Sequence, residues 1–218
     1  MSRCHAGHGL AVAGLALVAT AGAAERDALV AEGERWWRSS GDPRAPVACA
    51  TCHHDPSETR GWAPSFPKFR PLPPPLGRVM TLLQANAEAV TRHYGHTDPR
   101  PAATAITAFL AAQADGLPPT PGRAERQPAF PARLRALGES VARGHRLYAR
   151  RCAACHASAV IAPTLAAFPR AGGGRAKSLE DFLEEHAGGD GGLAWDSPAM
   201  ADIIAYLVSD IAGRASSP

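Results

Sequence analysis

Apolar residues three and four apart recur along the chain and predict a succession of helices. The cleanest stripe is Met200, Ile203, Ile204, Leu207, Val208 and Ile211, which predicts an amphipathic helix from Ser197 to about Ile211. Leu179, Phe182, Leu183 and His186 form a shorter stripe on a helix opened by Ser178, with Asp181 as its capping partner. Upstream, Val79, Leu82, Leu83, Ala87 and Val90 predict a helix from Val79 to Tyr94. Ala102, Ile106, Phe109 and Leu110 predict another, begun at Asp98-Pro99. Residues 25–38 and 138–151 complete the set. Between them lie breakers. Ser39 to Pro43, Gly116-Leu117-Pro118-Pro119 and Gly188 to Gly192 end helices, and the prolines of the Asp55–Gly77 stretch forbid a long helix or interior strand. The expected fold class is all-α.

The pattern occurs twice. Gly33 stands four residues before Trp37, as Gly144 stands before Tyr148. Ala63-Pro64-Ser65-Phe66-Pro67-Lys68-Phe69 matches Ala162-Pro163-Thr164-Leu165-Ala166-Ala167-Phe168 as Ala-Pro-[Ser/Thr]-[Phe/Leu]-x-x-Phe. The expected organisation is two domains, 25–116 and 136–218, joined by a Pro- and Arg-rich linker over 117–135.

Each half carries one short motif: Cys49-Ala-Thr-Cys52-His53 and Cys152-Ala-Ala-Cys155-His156. CxxCH is the attachment pattern of a c-type haem. Two thiols at this spacing reach two porphyrin vinyl groups, and the adjacent imidazole falls under the iron as its proximal ligand. A single copy could mark a zinc or redox dithiol site; two copies at equivalent places favour haem. The expected cofactors are two covalently bound haem c groups, with iron held by His53 and His156.

Composition adds to this. Aromatic content is only 6%, as expected where porphyrin supplies apolar bulk. The formal charge of +3 is too small to argue for nucleic acid. Cys4 is the one cysteine outside the motifs and lies in an N-terminal leader. Residues 1–24 read as a secretory signal peptide, with Arg3 first, an apolar run from Leu10 to Val18, and small residues Ala21-Gly22-Ala23-Ala24 at the cleavage point. The run is about half the ~20 residues of a membrane span. The expected location is the periplasm, with the signal cleaved.

Helix, CxxCH, Pro loop, short helix and aromatic-bearing last helix together resemble the class I cytochrome c domain, in tandem. The resemblance implies that Gly33 admits Phe109, and Gly144 admits Tyr206, where first and last helices cross. It implies that Pro64 and Pro163 turn their carbonyls towards the proximal imidazoles, and that Arg170 serves a propionate. His93-Tyr94-Gly95 is similar to a stretch of small periplasmic dihaem cytochromes c. Ser197-Pro198-Ala199-Met200 is similar to one in dihaem thiosulfate dehydrogenases. The family's Met-Pro before the last helix is missing. The family's distal segment instead offers His93 and His186, each followed by one residue and then a glycine. Met80 and His96 are rivals in the first half, and Met200 in the second.

The resemblance implies an electron carrier between a donor and an acceptor redox protein; a membrane-bound partner is compatible with this. A peroxidase-like dihaem enzyme, or a gas-binding protein with one open haem, is the alternative. Thiosulfate chemistry in that family uses a cysteine on one haem, and no cysteine remains here outside the motifs and leader.

Overall fold

The computed structural model describes residues 9–45, 47–71, 77–122, 131–156, 170–172, 175–187 and 193–215. They form a mostly helical chain with two small hairpins. Helix α1 (Gly9–Arg38) leads into short turns α2 (Cys49–Cys52), α3 (Pro56–Thr59) and α4 (Trp62–Ser65). Strands β1 (Lys68–Arg70) and β2 (Arg78–Met80) follow, then α5 (Leu82–Tyr94) and α6 (Arg100–Gln113). The second half has α7 (Pro131–Arg151), β3 (Arg170–Gly172), β4 (Arg175–Lys177), α8 (Leu179–Ala187) and α9 (Pro198–Ala215).

Helix α1 is unbroken across the expected leader boundary at residue 24. Among the described residues no helix is long and apolar enough to cross a membrane. Helix α7 begins at Pro131, inside the stretch assigned to the linker, because proline is tolerated at a helix start.

The hairpins correct the expected helix from Val79. Val79 pairs with Phe69 and Met80 with Lys68 in an antiparallel ribbon. The helix starts only after Thr81, whose hydroxyl accepts the Gln84 N–H at 3.2 Å while Gln84 Oε1 accepts the Thr81 N–H. This Thr-x-x-Gln capping box was legible in the sequence, but the apolar stripe ran through it. Met80 is therefore on a strand, and helical spacing says nothing about its direction relative to His93.

Two helix crossings organise the halves. A Cβ on Gly33 would meet the Ala105 carbonyl oxygen at 1.9 Å and Phe109 Cβ at 2.8 Å. A Cβ on Gly144 would meet the Asp202 carbonyl oxygen at 1.9 Å and Tyr206 Cβ at 2.9 Å. Only glycine permits such backbone approach, so α1 crosses α6 as α7 crosses α9. The first half builds its own side-chain core from Trp37, Phe66, Leu82, Val90, Tyr94, Ile106 and Leu110. In the second, Leu179, Leu183, Leu193, Met200, Ile203 and Leu207 pack together.

The halves also interlock. Val79 packs with Leu137 and Ala205. Gln84 Nε2 donates to the carbonyls of Trp195 at 2.9 Å and Ser197 at 3.0 Å. Arg100 donates from Nε to Asp181 at 3.0 Å, bonds Glu184 at 2.5 Å, and lies over the Trp195 ring. The linker is held at its start, where the N–H groups of Thr120 and Gly122 reach the carbonyls of Pro64 and Ser65. It is more than a spacer.

Glu180 is buried in this interface, facing Thr81, Asp181 and Arg100. Burial holds its carboxyl above the ordinary carboxylate range, against the Thr81 hydrogen bond. A raised folded-state value means no cost while both states are protonated, and stability lost as pH rises above the ordinary 4.5. Glu180→Gln should therefore change the melting temperature little at acid pH and raise it at pH 7. Thermal unfolding of the two proteins at both pH values checks this; an equal difference at both would refute it.

Candidate functional site

The two CxxCH motifs sit at matching places, just past the helices that carry Gly33 and Gly144. The first begins with Ala48, whose N–H is taken by Thr51 Oγ1 at 3.2 Å, and the tight turn of α2 follows. The second follows directly from α7. In each, the first cysteine is half-buried and the second exposed, and all four are free thiols. Burial pushes the Cys49 and Cys152 thiols up. A redox dithiol motif requires a lowered value, because the thiolate is the reactive form. Among the described residues no group of three or more His, Cys, Asp and Glu side chains gathers to hold a bare metal ion.

Around the first motif, Tyr94 is the organising residue. Its hydroxyl donates to the Trp36 carbonyl at 2.6 Å. It accepts the Cys49 N–H at 3.2 Å and lies 3.2 Å from Cys49 Sγ. The end of α5 is thus tied to the thiol and to the end of α1. In the sequence Tyr94 marks a helix end and a His-aromatic-Gly stretch; its bond to Cys49 joins residues 45 apart, which no local pattern reveals. His53 packs edge-on against Trp62 at 4.8 Å and near Trp37 at 6.2 Å.

His93, the expected distal residue, is exposed at the end of α5. His96 is half-buried, edge-on to Trp36 at 5.2 Å and near Tyr94 at 6.1 Å. Of the two, His96 is packed into the aromatic group that holds Cys49. Met80 is 1% exposed. The Pro64 carbonyl, expected to face the imidazole, accepts the Thr120 N–H at 2.7 Å.

The second motif is better assembled. The exposed His186 lies near His156, with ring centroids 6.0 Å apart and planes tilted by 50°. Phe182, one turn before His186 on α8, stacks on it at 5.2 Å and 11°, yet is 42% exposed. The α8 stripe that includes His186 in the sequence therefore brings it to the motif. The Tyr148 hydroxyl donates to the His156 carbonyl at 2.6 Å and fixes the motif's end. Met200 lies wholly inside the α8–α9 core, and its N–H is capped by Ser197. It is a packing residue. Pro163, with the whole second Ala-Pro loop, lies outside the described residues, as do Cys4 and the Gly188–Gly192 break. Arg170 is described only as the first residue of β3, paired with Lys177.

No protein-family model matches this chain, and no curated protein does.

Proposed function

We propose that this protein is a periplasmic dihaem c-type cytochrome that carries electrons between a donor and an acceptor protein. The observation that carries the reading is the pairing of His186 with His156 at 6.0 Å, on the second of two CxxCH motifs. Two imidazoles this close beside a CxxCH pair could both serve as iron ligands. The half-exposed Phe182 stacked on His186 adds apolar surface beside them. These residues fit the group.

When bound, haem supplies a one-electron iron couple. Cys49 and Cys52 would hold one haem and Cys152 and Cys155 the other, through thioethers. His53 and His156 would be proximal ligands. His186 would be the distal ligand of the second haem. For the first, His93 and His96 remain candidates, with His96 the better packed. Tyr94 holds Cys49 in place, and Tyr148 holds the His156 backbone.

The test is the full chain expressed where c-type haem is attached. Mass and haem-stained denaturing electrophoresis should show two haems per polypeptide. His186→Ala should open one haem to CO while leaving the protein's haem count at two. His93→Ala and His96→Ala, compared in the same way, identify the remaining ligand. A wild-type mass with no haem would refute the reading, and CO binding at both wild-type haems would refute the His ligation.

A further inference from the structure

The two halves meet where the capped starts of α5 and α8 come together. Each cap sends its third helical residue across the junction: Gln84 to the carbonyls of Trp195 and Ser197, and Asp181 to Arg100. Trp195 of the second half lies against Leu83, Ala87 and Ala103 of the first. Glu180, the second residue of α8, is 5% exposed at this junction and takes a hydrogen bond from the Thr81 hydroxyl across it.

The charges around Glu180 are already committed. Arg100, which faces it from α6, is bound by Asp181 and Glu184 of α8. Asp181 also takes the Ser178 N–H at 3.2 Å, and Glu184 the Trp195 N–H at 3.0 Å. Lys177 of β4 is held by Glu185, and Arg78 of β2 reaches the Asp196 carbonyl. From α5 come the uncharged Thr81 and Gln84, while Glu88 and Arg92 further along that helix pair with each other. An ionised Glu180 would be a third anion around one cation. The start of a helix favours an anion, but burying a carboxylate without a cation of its own costs more.

We propose that Glu180 is a proton-operated latch between the halves: protonated, it lets α5, α6 and the 193–197 segment close over it, and ionised, it drives that junction apart while each half stays folded. Each half keeps its own helix crossing, Gly33 on Ala105 and Gly144 on Asp202, and its own core. Burial fixes the sign. The closed junction holds Glu180 above the ordinary 4.5, and the open one returns it there. Closure is therefore fully favoured below that pH and weakens as pH rises, until Glu180 ionises in the closed state as well. The passage of electrons between the two motifs, which the latch would regulate, rests on the dihaem reading; the opening itself does not.

The test is hydroxyl-radical footprinting of the full chain, read by mass spectrometry. Leu83 and Trp195 report on the junction, and Ile106 and Met200 on the separate cores. Between about pH 5 and 8, labelling of Leu83 should rise by up to about tenfold per pH unit, with Trp195 following and Ile106 and Met200 unchanged. Glu180→Gln keeps every other titrating group and should make the profile flat. Glu180→Met, which fills the space without a carboxyl, supplies the same readout should the Gln variant fail to fold. A flat wild-type profile, the wild-type slope in either variant, or equal labelling of junction and cores would overturn the latch. Haem count per chain on the same samples bears only on the dihaem reading, so the two can fail separately.

Discussion

On the dihaem proposal, chains carrying Cys49→Ala together with Cys52→Ala should keep one covalent haem and lose the other. The two motifs are held independently. The first is fixed by Tyr94, which bonds Cys49 and the Trp36 carbonyl. The second is fixed by Tyr148 on the His156 carbonyl and by His186 beside it. Removing both thiols from one leaves the other's anchors untouched. Haem-stain intensity per polypeptide should halve, and the mass should fall by one haem. Cys49 and Ala50 also pack against the first core, so the first half should melt earlier than in wild type. Loss of both haems, or of neither, would mean that the motifs do not act as separate attachment sites.

Alanine at Gly144 should be among the most damaging single changes in the chain, although alanine is the better helix former. The helical gain is about 1 kcal/mol. Against it, the added Cβ would sit 1.9 Å from a backbone carbonyl oxygen of α9 and 2.9 Å from Tyr206 Cβ. A backbone oxygen cannot rotate away, so the two helices must separate. Overpacking of this kind costs about 3 kcal/mol or more, and the crossing also carries Asp202 with its Ser140 and Arg143 bonds. The clash wins. Gly138, six residues earlier on the same helix, is the control: a Cβ there meets nothing within 4 Å, so Gly138→Ala should be neutral or stabilising by up to about 1 kcal/mol. Denaturant unfolding of the pair checks the sign of each. A Gly144→Ala protein as stable as Gly138→Ala would show that the close crossing is not required.

The sequence by itself determined the elements that depend on neighbours within a turn or two. The stripe of Met200, Ile203, Ile204 and Leu207 became the buried face of α9. The Ser178–Asp181 cap formed as a reciprocal pair, with the Asp181 N–H reaching Ser178 Oγ at 3.0 Å and the Ser178 N–H reaching Asp181 Oδ2 at 3.2 Å. Gly33 and Gly144, marked by the internal repeat, fell at the two crossings that the resemblance to the cytochrome c domain implies. Tertiary structure decided the rest. Val79 and Met80 fit the helical period but were taken by Phe69 and Lys68, since antiparallel backbone pairing outweighed a propensity worth tenths of a kcal/mol per residue. The sequence puts His93 ahead of His96 by its place before Tyr94-Gly95, whereas packing against Trp36 and Tyr94 favours His96. The interface of Arg100, Gln84, Glu180 and Trp195 joins residues some 80 to 110 apart. Contacts at that separation depend on how two complete halves meet, and that information resides in no local stretch of the chain.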